Sequence, residues 1–145
     1  MNKEMFLIFS MLGISYGIRL SRVREIMTGL TQITPVPDCS EWVLGVINLR
    51  GEITPVIDFR RKFSAIEPPY NDETIVIALK FNGDRTMAIT VDAIETIETI
   101  DRDQMQEPPP IGNAIEPRYL ETLAGINGKM INLLNIDTLM DLREI

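Results

Sequence analysis

The stretch Trp42–Phe59, WVLGVINLRGEITPVIDF, decides how this chain of 145 residues folds. It is apolar except for an interruption at Asn48-Leu-Arg-Gly-Glu52. Val43–Leu49 and Ile53–Phe59 are each about the length of one strand. Gly51, between Arg50 and Glu52, permits positive φ at no steric cost. The interruption therefore reads as a hairpin tip between two strands. Pro55 has no N–H to donate, which predicts an edge strand or a bulge at that point.

Working outward, the pattern is mostly strand. Phe6–Leu12 is rich in aromatic and branched residues, and a Gly13-Ile14-Ser15 turn leads to a short strand at Tyr16–Ile18. Lys3 followed by an apolar run resembles a signal peptide, but no small-x-small cleavage site follows and the run is too short to span a bilayer. Ser21 can cap a short helix over Arg22–Met27. Thr31–Val36 reads as a strand closed by Pro35 and Pro37, and Asp38–Trp42 as a turn. Asp58 can cap a helix carrying Phe59 and Phe63. Glu67–Asp72 is a linker. Strands follow at Thr74–Phe81 and Thr86–Val91, joined at Asn82-Gly83 as a two-residue hairpin. Pro108–Pro110 opens a stiff loop. Tyr119–Ile126 and Met130–Asn135 flank an Asn127-Gly128 turn, and Asp137 can cap a last helix ending near Leu142.

Two segments recur in order. Gly17–Ile26 aligns with Ala88–Ile97, and Gly51–Phe59 with Gly128–Ile136, at separations of 71 and 77 residues. Ile18, Leu20, Val23 and Ile26 fall on Ile89, Val91, Ile94 and Ile97. The expectation is a single domain over residues 1–145, built of two similar β lobes with a crevice between them.

The chemistry is sparse. There is no histidine and one cysteine, Cys39, so the commonest general base and any thiolate metal cluster within one chain are absent. No phosphate-binding loop, dinucleotide fingerprint or nucleophile elbow occurs. The series Asp92, Glu95, Glu98, Asp101 lacks calcium-loop spacing and reads as a solvated face. A net charge of −7 argues against nucleic-acid or anionic-membrane partners. What remains is a binding module: not an enzyme, with no catalytic residue, metal or cofactor. Glu25, on the helix-like segment, and Arg50, on the hairpin tip, are the charged residues to watch. They are either two solvated charges or, if their elements pack together, an ion pair.

Gly45-Val-Ile-Asn-Leu-Arg-Gly51, followed by Pro55-Val-Ile-Asp-Phe59, resembles the signature of CheW-like chemotaxis coupling proteins. Tyr16-Gly-Ile18, Val23-Arg-Glu-Ile26, Thr34-Pro-Val-Pro37, Trp42-Val-Leu-Gly45, Tyr119-Leu120 and the Gly125–Ile136 hairpin resemble the rest of that family, over about Met5 to Leu142. The resemblance implies a mainly β fold of two SH3-like five-stranded β-barrel lobes with a few short helices. The lobes would divide near residues 67–73, with terminal strands able to cross between them.

It also implies a cytoplasmic, non-enzymatic adaptor joining the cytoplasmic tips of methyl-accepting chemoreceptors to the regulatory domain of a CheA-type histidine kinase. Rings that include other coupling proteins are a further implied partner arrangement. Val23 and Glu25 match family positions that affect kinase or receptor coupling. Asn48, Arg50 and Gly51 match the signature tip, and the family pattern favours a Glu25–Arg50 ion pair. Ile18, Leu20, Val23 and Ile26 are candidates to line a receptor-helix groove between the lobes, with lobe core as the competing assignment. Arg19 stands where the family often has an acidic residue, and Ser40 where it often has proline. No receiver or kinase domain is attached, which implies a freestanding coupler. The alternatives are a small-ligand-binding β-barrel and a coupler in a non-flagellar pathway.

Overall fold

The computed structural model describes residues 3–29, 33–37, 43–58, 74–81, 83–106 and 120–139. Among these are eleven strands: β1 Lys3–Met11, β2 Ile14–Arg19, β3 Val23–Thr28, β4 Val43–Leu49, β5 Glu52–Asp58, β6 Ile75–Phe81, β7 Arg85–Val91, β8 Ala93–Asp101, β9 Met105–Gln106, β10 Leu120–Ile126 and β11 Lys129–Leu134. One short helix, α1 (Ile136–Leu139), follows. The strands form two sheets, β8-β1-β2-β11-β10-β9 and β3-β6-β7-β5-β4. These are two SH3-like β lobes, one with a sixth, two-residue strand.

The sheets follow one plan. β5 runs parallel to β7 with Val56 opposite Ala88, and β11 runs parallel to β2 with Leu133 opposite Gly17. Those pairs correspond at the separations of 77 and 71 residues. The bulges correspond too. Arg24 is the extra residue where β3 pairs with β6, and Glu95 where β8 pairs with β1. Leu44 is extra in β4, and Glu121 in β10.

The main core lies between the sheets. Leu7, Phe9, Met11, Tyr16 and Ile18 of the β1–β2 hairpin pack with Ile77, Leu79, Phe81, Met87, Ile89 and Val91 of the β6–β7 hairpin. The opposite faces of these hairpins fill a smaller core in each lobe: Phe6 and Ile8 with Ile100, Ala124, Ile131 and Leu133, and Val76 and Ala88 with Val56. Phe6, Leu7, Ile8 and Phe9 are therefore all buried, which explains a continuous apolar run where a half-exposed strand would alternate. Between the lobes these hairpins form a packed seam, and the expected crevice is reduced to a cleft of about 510 Å³ lined by Arg22, Lys80, Phe81, Gly83 and Asp137.

Several local expectations are corrected. Arg22–Met27 is no helix: a 3-10 turn at Leu20–Arg22 leads into β3, whose residues alternate between half-buried and exposed. The first turn is Leu12-Gly13, with both residues at positive φ, one step before the expected position. Phe81 pairs with Arg85, so three residues, not two, separate β6 from β7. Pro55 is neither at a sheet edge nor at a bulge. Val46 spends its N–H and C=O on Thr34, so the missing N–H of the opposing Pro55 falls on the β7 side, one residue before that ladder begins. α1 is capped by Asn135, whose Oδ1 accepts from the Thr138 N–H; Asp137 instead pairs with Arg22 at 2.7 Å.

The acidic series on β8 is not a bare solvated face. Asp92 accepts from the Leu12 N–H, Asp101 caps the turn at Arg102–Gln104, and Glu95 bridges two strands. The β8 strand itself has little alternation to betray it, because its isoleucines stand three apart. The lobe division at 67–73, residues 31 and 32 of the expected third strand, the Asp38–Trp42 turn with Ser40, the helix after Asp58, the Pro108–Pro110 loop and the chain beyond Leu139 lie outside the described residues.

Gly45 holds the 33–37 segment against β4. Its φ is +149°, and an added Cβ would lie 2.3 Å from the Thr34 carbonyl oxygen and 2.7 Å from the Ile33 side chain. Gly45→Ala should therefore destabilise the fold by about 2–4 kcal/mol through strain and backbone displacement. Thermal unfolding should show a fall of roughly 5–10 °C. A melting temperature equal to that of the parent protein would contradict this account of Gly45.

Candidate functional site

β3 and β4 are at opposite edges of their sheet, yet their residues meet. The sheet curls until Arg50, on the β4–β5 turn, reaches β3: its Nη2 lies 2.7 Å from Glu25 Oε1. The expected ion pair is present. Its partners are unequal in exposure, 84% for the Arg50 side chain and 22% for Glu25. One residue before Glu25 and two after Arg50 stands a second pair: Arg24 Nη1 lies 3.7 Å from Glu52 Oε2 and donates to Thr86 Oγ1 at 2.8 Å. Arg24, Glu25, Leu49, Arg50 and Glu52 line a cleft of about 310 Å³.

The turn that presents Arg50 is tight. Leu49 pairs with Glu52, leaving only Arg50 and Gly51 between the strands. Both are at positive φ, 54° and 86°. Gly51 adopts this freely; Arg50, with a Cβ, does so at about 1–2 kcal/mol. Asn48 supports the turn by accepting from the Gly51 N–H through Oδ1 at 2.8 Å. Asn48 and Gly51 thus shape the tip, and Arg50 is what the tip displays. The corresponding turn of the other lobe is Asn127-Gly128, at φ 51° and 77°. Asparagine is the residue this geometry favours, so an arginine here sets turn preference aside.

The groove candidates divide. Ile18 is fully buried in the seam, so it cannot line a surface groove; the competing assignment, lobe core, is correct for it. Leu20 and Val23 are half-buried against the same core. Ile26 is 44% exposed. Arg19, one of the family departures, is engaged within the molecule. Its Nε donates to Glu4 at 2.8 Å, both Nη atoms donate to Glu121, and its guanidinium lies 5.6 Å from the centre of the Phe6 ring. Hydrogen bonding to Glu121 is the largest influence raising its pKa further above the guanidinium value, against an opposing contribution from burial. Burial pushes the Tyr16 hydroxyl up to about 12, so at neutral pH it is a protonated core group.

Arg24 and Arg19 were not singled out as contact residues from sequence. The repeat carries a signal for Arg24, which falls on Glu95, but the two side chains are of opposite charge and the apolar positions alone correspond in kind. Arg19's partners are 15 and 102 residues away, which no local pattern encodes.

With this geometry in place, the relationships are clear. A model of the CheW-like domain matches residues 5–144. Chemotaxis protein CheW of Klebsiella aerogenes is 34% identical over 140 residues, covering 97% of this chain and 83% of its own. Chemotaxis protein CheW of Rhizobium meliloti is 35% identical over 131 residues, covering 89% and 82%. The crystal structure of the scaffolding protein TtCheW from Thermoanaerobacter tengcongensis matches with a TM-score of 0.85 at 27% identity, over 98% of this chain and 90% of that one. The chain belongs to the CheW-like family.

Two outcomes follow from these contacts. An exposed ion pair contributes about 0–1 kcal/mol, no more than the strain at Arg50. Arg50→Asn should leave stability to urea unchanged or higher by up to about 1 kcal/mol; a loss larger than that would refute the strain account. Separately, Lys129 and then Ser15 hold the Glu95 carboxyl below its usual pKa. A depressed carboxylate contributes stability above its unfolded pKa, about 4.3, and loses it as pH falls through the folded value. The stability gap between the parent protein and Lys129→Ala should be present at neutral pH and close in acid. A gap independent of pH would show that this pair is not its source.

Proposed function

We propose that this protein is a non-enzymatic adaptor that couples methyl-accepting chemoreceptors to a CheA-type histidine kinase in chemosensory signalling. Membership of the CheW-like family supports the adaptor class. The observation that carries the site is Arg50: a cation held at unfavourable positive φ, widely exposed, and aimed by a half-buried carboxylate. Such an arrangement adds little to stability and presents a fixed donor fork to a partner.

In this reading, Val23, Glu25, Asn48, Arg50 and Gly51 form the contact surface for the kinase regulatory domain or the receptor. Ile26 is its most accessible apolar residue, with Leu20 and Val23 beside it; a receptor helix would meet them with an i, i+3, i+4, i+7 stripe. The adaptor works in the cytoplasm against the receptor's cytoplasmic tip. No described helix is long and apolar enough to cross a membrane. Two lobes on one plan but with different surfaces suit head-to-tail contacts, including rings with other coupling proteins. A ligand-binding crevice between the lobes is disfavoured by the side chains filling the seam. The pathway served, flagellar or not, is left to the receptors.

Calorimetric titration against the regulatory domain of the CheA-type kinase from the same organism tests this. We expect saturable 1:1 binding near micromolar, about −8 kcal/mol, weakened about tenfold by Arg50→Ala with the melting temperature retained. Absence of binding by the parent protein would overturn the kinase-coupling reading. Unchanged affinity in Arg50→Ala would remove Arg50 from it.

A further inference from the structure

We infer that Arg24 is the positioning residue of the Glu25–Arg50 pair: as the extra residue of a β-bulge, it ties β3 to β5 and β7 and so fixes where Glu25 meets Arg50. The effect on kinase binding rests on the contact proposed above; the effect on the pair does not.

The cleft holds two cations and two anions: Arg24 and Glu25 on β3, Arg50 and Glu52 on the facing hairpin. Other pairings are conceivable, because Glu52 is only two residues from Arg50. Arg24 removes the ambiguity. It engages Glu52 and donates to a second anchor, Thr86 Oγ1, leaving Glu25 as the acceptor for Arg50. The bulge is what turns the Arg24 side chain to this task, since an extra residue re-aims side chains locally.

The other lobe supplies an internal comparison. Shifting Thr86 back by 71 residues, Arg24 forward by 71 and Glu52 forward by 77 reaches Ser15, Glu95 and Lys129. These three also touch: Ser15 Oγ donates to Glu95 Oε2 at 2.7 Å, and Lys129 Nζ lies 2.5 Å from Glu95 Oε1. Glu95, too, is the extra residue of a bulge. The same hydroxyl–bulge–hairpin clamp is thus built twice with its charges exchanged. Charge order is therefore free to vary while the tie itself recurs. What differs is the pair beside the clamp, one residue after Arg24 and two before Glu52. Glu25 and Arg50 stand in one lobe, where Thr96 and Asn127 stand in the other. The clamp belongs to both lobes; only one uses it to hold an exposed ion pair.

The test compares Arg24→Ala, Glu95→Ala and the exchanged pair Arg24→Glu with Glu52→Lys in the full chain. Three readouts are needed: the melting temperature, the Arg50 guanidinium signal in nitrogen-15 NMR, and titration with the kinase regulatory domain. We expect the two alanine variants to lose similar thermal stability. Only Arg24→Ala should release the Arg50 guanidinium into fast rotation, with kinase affinity falling about fivefold. The exchanged pair should restore both.

An unchanged Arg50 signal in folded Arg24→Ala would overturn the inference, as would a folded exchanged pair in which that signal stays released. If Arg24→Ala does not fold, Arg24→Lys takes its place: it keeps the charge but loses the fork, and a rigid Arg50 signal in it would count equally against the inference. Release of Arg50 with kinase affinity unchanged would leave the positioning role standing and remove the pair from kinase binding.

Discussion

Two hairpins, β1–β2 and β6–β7, are buried on both faces, and the rest of the molecule is arranged around that constraint. One face of each packs into the seam between the lobes, and the other into its own lobe. Each fully buried Leu, Ile or Phe contributes about 1.5–3 kcal/mol, against about 0–1 for a surface ion pair. The seam therefore sets the architecture, and polar contacts are free to serve recognition. The side chains described in the seam are packed against one another, so the charged cleft between β3 and the β4–β5 turn lies outside it.

At those edges, curvature becomes the useful property. β3 and β4 could meet only because the sheet closes on itself, and bulges are the means by which a strand bends and re-aims a side chain. The tip at Arg50-Gly51 then projects a guanidinium across the gap. Strain at Arg50 is small beside the burial of the seam, so the fold can bear it. The pairing of Glu25 with Arg50 is accordingly a matter of geometry more than of stability, and its value depends on what neighbouring charges are prevented from doing.

The hairpins were legible because glycine at a positive-φ turn and apolar runs of strand length are local signals. β4–β5, β6–β7 and β10–β11 all carry them. β3 was not legible, and the reason is which way its side chains face. In a strand read by pattern alone, the apolar Ile26 should point inward and the charged Glu25 outward. Here Ile26 is exposed, and Glu25 is turned toward Arg50. That inversion imitates a helical spacing of Val23 and Ile26. β8 hides for a related reason: a bulge at Glu95 and an exposed Ile97 break its alternation. Local rules fail where a surface is committed to something other than the core.

By itself, the sequence determined the mainly β character, most turns, the pairing partners Glu25 and Arg50 through family resemblance, and the lack of a histidine- or thiolate-based centre. These depend on residue identity and on chain neighbours. Only the tertiary structure decided that Ile18 lies in a seam and not a groove, that Arg19 is held by Glu4 and Glu121, and that Arg24 stands over the cleft. A strand's alternation defines two faces but not what covers either. Contacts between opposite sheet edges arise only once curl and bulges have closed each lobe.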